Sequence, residues 1–158
     1  MIARGADDTA PSPEERGEAM SSSRKMLKLV AIVAAITGLA MWTFGLAVAG
    51  AGLFGGTAIS GTDAAPLYMG VSGVSGLCFV VMGLMGMRAS NVPSRSGTSI
   101  VTAFGSLAVS AVAVLFWSWQ GFVKIDAPNA VLLVVGVLEA LTILFFARKV
   151  KKEHDTWH

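Results

Sequence analysis

The sequence predicts an all-α integral membrane protein, built as an antiparallel bundle of four helices. Of its 158 residues, 54% are apolar and only 14% are charged, whereas in water-soluble domains about a quarter of the residues are charged. Four runs with almost no charge are each long enough to cross a bilayer core about 30 Å thick, which takes about 20 helical residues. Helices are expected because strands with open edges cannot satisfy their backbone polar groups in lipid.

The membrane domain is predicted at 24–148, with spans at 29–54, 67–87, 98–118 and 128–147. The first span ends at the turn-forming pair Gly55 and Gly56, and the second begins beside Pro66, a residue favoured in the first turn of a helix. The third span lies between the cations Arg95 and Lys124. The fourth ends where a run of cations begins.

Two polar tails flank this domain. Residues 1–23 mix charges with prolines and lack apolar periodicity, which predicts a disordered tail, and Met20 or Met26 could replace Met1 as the start. Residues 149–158 form a basic tail. Apart from Arg4 and Arg16 in the N-terminal tail, nine cations fall on the side of both termini and only Lys124 on the other: Arg24, Lys25, Lys28, Arg88, Arg95, Arg148, Lys149, Lys151 and Lys152. This bias predicts cytoplasmic termini in a plasma membrane.

A cleaved secretory signal is the competing interpretation of the first span, because the small residues at 47–49 resemble a cleavage site. We favour an uncleaved span, since its apolar run is too long for a signal core and the polar segment before it is too extended.

Small residues at helical spacing predict where the helices pack against one another. Helices in lipid associate through close approach at small side chains rather than through hydrophobic burial. The candidate packing residues are Gly45, Gly76, Gly83, Ser106, Ser110 and Gly136. A pore or a substrate groove lined by such residues is the alternative interpretation.

Similar segments recur about 60 residues apart and indicate two repeated helical hairpins. The residues FGLAV at 44–48 resemble FGSLAV at 104–109, and DAAP at 63–66 resembles DAP at 126–128. Separately, GLMGMRASNVP at 83–93 resembles a segment of small uncharacterised four-span bacterial membrane proteins. That resemblance implies the four-span layout and no particular activity.

Glu139 is the one charged residue inside any predicted span. A charge at the bilayer centre costs at least about 2.5 kcal/mol, and no Lys, Arg or His occurs at a matching depth. We therefore expect a neutral carboxyl that faces the bundle or an oligomer interface, on the same side as Gly136 and Thr142. Val134, Val137, Leu141 and Leu144 are expected to face lipid.

This carboxyl supports two hypotheses. In the first, Glu139 is bonded to a serine, threonine or carbonyl of a neighbouring helix and stabilises the packing of a structural, accessory or partner-binding protein. In the second, it exchanges a proton for a substrate or ion in an oligomeric carrier or channel, assisted by Thr142.

Several other classes of function are not expected. A single Cys78, with His154 and His158 near the end of the chain, does not support a disulfide framework, a metal site or a haem site. We predict no cofactor and no enzymatic activity, because no nucleophile with a base and no pair of carboxylates shares one depth. A net charge of +2 does not favour nucleic acid.

The expected partners are the lipid bilayer and either a second copy of this chain or another membrane protein. Four aromatic residues are predicted to anchor the helices at the outer membrane boundary: Tyr68, Trp117, Trp119 and Phe122.

Overall fold

The four apolar runs form four long helices. The computed structural model describes residues 21–53, 64–120 and 127–156. In chain order the helices are α1 (Ser22–Leu53), α2 (Ala64–Asn91), α3 (Ser96–Gln120) and α4 (Ala127–Thr156). These described ranges contain no strand, and each helix is long and apolar enough to cross a membrane. The predicted all-α four-helix fold is confirmed.

The connection between α2 and α3 is a tight turn. Helix α2 continues past Arg88 to Asn91, and a 3₁₀ helix at Pro93–Arg95 leads directly into α3. Val92 between them is extended, with φ −127° and ψ 92°, because the ring of the following proline disfavours helical backbone at this position. So short a connection makes α2 and α3 antiparallel neighbours.

The helices stand at the corners of a square in chain order. Helix α1 packs against α2 and α4, and α3 packs against the same two helices, while α2 and α4 also approach each other across the diagonal. Contacts such as Ala31 with Gly83 and Gly45 with Ser72 run in opposite directions along α1 and α2, so this pair is antiparallel. Residues on the inner side of α4 can therefore contact α1, α3 and, across the diagonal, α2.

Many large apolar side chains lie on the outer surface of this bundle, and many small ones lie inside. Val101, Leu115 and Phe145 are 70%, 72% and 64% exposed, whereas Ala103 and Ala140 are fully buried. Water-soluble proteins show the reverse distribution, but lipid solvates leucine and phenylalanine well and leaves small residues for helix contact. The surface and the helix lengths together indicate a multi-pass membrane protein.

The helices extend beyond the predicted spans at both chain ends. Of the predicted N-terminal tail, residues 1–20 lie outside the described residues, and α1 already begins at Ser22. At the other end, α4 continues through the predicted basic tail to Thr156. Asp63 and Asp126 of the repeated DAAP and DAP segments lie outside the described residues, and the hairpin repeat stays a prediction.

Candidate functional site

Glu139 lies inside the bundle, bonded to a neighbouring helix. Its side chain is 7% exposed, and its Oε1 accepts a hydrogen bond of 2.8 Å from the Thr37 hydroxyl of α1. Thr37 is itself 6% exposed. The bond therefore joins α1 to α4 inside the bundle, where both side chains are buried. We call these two residues the Glu139 pair.

The second oxygen of this carboxyl has no such partner. Glu139 Oε2 is buried and accepts or donates no hydrogen bond among the residues that the structure describes. Within the same ranges, no Lys, Arg or His forms an ion pair with it. The carboxyl is thus half satisfied, since one oxygen is hydrogen-bonded and the other is only enclosed.

Thr37, rather than Thr142, is the threonine bonded to this carboxyl. The Thr142 hydroxyl donates to the Leu138 carbonyl oxygen of its own helix, at 2.7 Å. The lipid-facing prediction was wrong for Leu144, which is 8% exposed, although Leu141 is 52% exposed. Leu144 lies one turn after the fully buried Ala140, so both belong to the face that packs inward.

The predicted packing glycines lie at close approaches between helices. A Cβ atom on Gly83 would be 2.5 Å from the Ala31 carbonyl oxygen, and one on Gly76 would be 2.8 Å from the Gly38 carbonyl oxygen. Both obstacles are backbone atoms, so α1 and α2 can approach this closely only where the side chain is absent.

At two further packing glycines, the nearest neighbours are side chains rather than backbone atoms. A Cβ atom on Gly45 would collide with Ser72, and one on Gly136 would collide with the ring of Phe79. The Gly136 contact brings α4 against α2 across the diagonal of the bundle.

The two predicted packing serines are buried but bond differently. Ser106 donates to the Cys78 carbonyl oxygen of α2 at 3.1 Å, and so joins two helices. Ser110 donates to the Ser106 carbonyl oxygen within α3, at 2.7 Å.

A second set of buried polar residues is centred on Asn129, which was not among the predicted site residues. Its Nδ2 donates to the Tyr68 hydroxyl at 2.7 Å and to the Ser72 hydroxyl at 3.0 Å. Ser72 in turn donates to the Met41 carbonyl oxygen at 3.3 Å. These contacts connect α4, α2 and α1. We call Tyr68, Ser72 and Asn129 the Asn129 cluster.

Tyr68 and Trp117 belong to the core and are not boundary anchors. Each is 1% exposed, and their rings stack with centroids 5.8 Å apart and planes 15° from parallel. The anchor prediction was therefore wrong for both. Trp119 is 87% exposed, and Phe122 lies outside the described residues. Aromatic type and position near a helix end do not reveal which face of the helix carries the ring.

One contact joins the two ends of the described chain. Glu153 near the end of α4 accepts hydrogen bonds from the hydroxyls of Ser21 and Ser23, at 2.9 and 2.8 Å. The carboxylate thus lies at the N-terminus of α1, where the helix dipole favours negative charge.

The described residues contain no cluster of three or more His, Cys, Asp or Glu side chains that could hold a metal ion. His154 Nδ1 lies 3.5 Å from Asp155 Oδ1, and His158 lies outside the described part of the chain.

Comparisons of this chain with protein-family models, with curated proteins and with solved structures found no match.

Proposed function

We propose that this chain is a non-enzymatic structural, accessory or partner-binding protein of a plasma membrane. The observation that carries the proposal is the Thr37–Glu139 hydrogen bond, which uses the one acid of the predicted spans to hold α1 against α4. A polar bond between helices stabilises a membrane bundle because lipid offers no competing partner. The expected partners are the bilayer and either a second copy of the chain or another membrane protein.

The proposed orientation has both termini in the cytoplasm. The contacts of Glu153 with Ser21 and Ser23 support this, since they bring the start of α1 and the end of α4 to the same end of the bundle. Cations lie near both of these helix ends, and an excess of Lys and Arg favours the cytoplasmic side. A reporter fused after His158 should be active only in a cytoplasmic form, and activity only outside the membrane would reject this orientation.

A small oligomeric carrier or channel is the second candidate. The observation that favours it is the buried, unpartnered Glu139 Oε2, because a carboxyl that is only half satisfied can still bind a proton, an ion or a substrate group. In this hypothesis Thr37 would orient the carboxyl, while Thr142 would have to leave its bond to Leu138 before it could assist.

Labelling with a hydrophobic carbodiimide separates the two candidates. Full-length protein in lipid would be labelled between pH 5 and pH 9, and modified carboxyls would be mapped by mass spectrometry, with Glu139→Gln as the blank. A structural role predicts no labelling of Glu139 at any pH, because both oxygens are enclosed by neighbouring helices. Labelling that decreases as pH rises would reject this proposal and support the carrier.

A flux measurement gives an independent answer. Glu139→Gln retains an acceptor for the Thr37 hydroxyl, so we expect a folded bundle under both candidates. In proteoliposomes, proton-linked flux that the wild type shows and this variant loses would establish the carrier. Equal flux through both proteins would leave Glu139 without a coupling role.

A further inference from the structure

The last turns of α4 are held against the bundle beyond the apolar span. Val150 is 1% exposed, and Glu153 accepts hydrogen bonds from Ser21 and Ser23 at the start of α1. Helix α4 therefore continues without a break to Thr156, and the same face of the helix packs against the bundle up to its last turns. As a result, the direction in which each terminal cation points is determined by the packing of α4.

Three of these cations share one groove with apolar side chains. The groove has a volume of about 460 Å³ and is lined by Leu141, Leu144, Phe145, Arg148, Lys149 and Lys152. None of these six residues is acidic. The Arg148 guanidinium lies 5.6 Å from the ring centroid of Phe104 on α3, which orients this cation by a cation–π contact.

The order of these residues along α4 matches the layers of a membrane. A helix rises about 1.5 Å per residue, so the apolar span at 128–147 is about 30 Å long, the thickness of the hydrocarbon core. Arg148 then lies at the core boundary, and Lys152 lies about 6 Å farther out. The polar headgroup layer extends about 5–7 Å beyond the core on each side.

We propose that this groove binds one anionic phospholipid, with the phosphate among Arg148, Lys149 and Lys152 and an acyl chain along Leu141 and Phe145. Charge complementarity selects this occupant, because three cations without a lining acid favour a phosphate. The apolar part of the groove, formed by Leu141, Leu144 and Phe145, favours a ligand that also carries a hydrocarbon chain. The acyl chain of a zwitterionic lipid would contact the same apolar residues, but the three basic side chains would repel the ammonium group of its headgroup.

Native mass spectrometry of the full-length protein tests this proposal. Protein in detergent would be titrated with phosphatidylglycerol, with phosphatidylcholine of the same acyl chains, and with glycerol phosphate. We expect one phosphatidylglycerol to bind at least tenfold more tightly than phosphatidylcholine. Glycerol phosphate should not compete with phosphatidylglycerol at similar concentration, because it lacks the acyl chain that contacts the apolar residues of the groove.

The chain offers a matched control for surface charge. The groove variant replaces Arg148, Lys149 and Lys152 by glutamine. The control variant replaces Lys25, Lys28 and Lys151 by glutamine. These three lysines are exposed, lie at the same end of the bundle and do not line the groove. Both variants lose three positive charges, so any effect on topology or on diffuse attraction is shared.

We expect the groove variant to lose on the order of 100-fold in affinity for phosphatidylglycerol, since each cation contributes about a fivefold factor. The control variant should lose less than about threefold. Equal losses in the two variants would show diffuse surface charge and overturn the proposal. Equal binding of the two lipids by the wild type would also overturn it.

Two further measurements keep the test decisive. If the triple groove variant fails to fold, the single changes Lys152→Gln and Lys151→Gln replace it, with a loss of about fivefold expected only for the first. If phosphatidylglycerol binds only to monomers and dimer formation excludes it, a second copy of the chain occupies the groove, and the lipid proposal is rejected.

Discussion

The Asn129 cluster and the Glu139 pair are two buried polar groups that include residues of α4, and they differ in the number of hydrogen bonds they form between helices. Both Nδ2 hydrogens of Asn129 are used, in bonds to Tyr68 and Ser72. Glu139 uses one oxygen toward Thr37 and leaves the other enclosed without a partner among the described residues. Glu139 follows Asn129 by ten positions on α4, which puts it about 15 Å deeper in the bundle.

This difference separates a role in stability from a capacity for chemistry. A neutral amide near the end of a span can bond several neighbours, so its main effect is to fix how α4, α2 and α1 meet. A half-satisfied acid near mid-span contributes a single bond, and its value for stability is correspondingly smaller. We therefore expect the Asn129 cluster to matter more for folding, although the Glu139 pair is the only one of the two with a carboxyl group.

The largest effect is expected from Gly76→Val, which lies between the two regions and would disturb both. The new side chain would collide with the Gly38 carbonyl oxygen and force α1 away from α2. We expect a loss of about 3 kcal/mol in the free energy of unfolding, measured in mixed micelles. The control is Gly105→Val, where a Cβ atom meets nothing within 4 Å. An equal loss in the control would contradict the packing role of Gly76.

Asn129→Leu should have the next largest effect. It removes both donated hydrogen bonds, so the buried hydroxyls of Tyr68 and Ser72 each lose the bond they accept from Asn129, at a cost of about 2 kcal/mol. Asn91→Leu is the matched control, because Asn91 is exposed at the end of α2. The comparison fails if the unfolding free energy of the Asn129 variant equals that of the wild type.

A double-mutant cycle measures the Glu139 pair itself. Thr37→Val and Glu139→Leu should show a coupling energy of about 1 kcal/mol, the scale found for hydrogen bonds between membrane helices. Thr43→Val with Glu139→Leu is the control, since Thr43 is exposed and donates to the Leu39 carbonyl oxygen of its own helix. Similar coupling in both cycles would mean that the Thr37 bond is not the source.

The smallest effect is expected from Glu139→Gln. The amide oxygen of glutamine can accept the Thr37 hydrogen bond in place of Oε1, so the unfolding free energy should change by less than about 0.5 kcal/mol. A loss larger than that of Asn129→Leu would reverse the ranking of the two regions and show that the acid group itself stabilises the bundle.

The sequence located the Glu139 pair only in part. A lone acid in an apolar run is easily recognised, and its inward orientation followed from the cost of exposing it to lipid. Thr37 carried no such signal, because threonine occurs throughout membrane helices and its partner lies 102 positions away. Asn129 was overlooked for a similar reason, since a neutral polar residue near the start of a helix resembles a capping residue.

The amino-acid sequence by itself determined the helices, because long apolar runs in lipid can satisfy their backbone only as helices. It also determined that Glu139 is the exceptional residue. Only the tertiary structure decided which faces meet: that Tyr68 and Trp117 stack in the core, that Leu144 packs inward, and that Arg148 lies over the ring of Phe104. The physical reason is that these helices are apolar on every side, so no polar face reveals their rotation, and close contacts between small residues determine it instead.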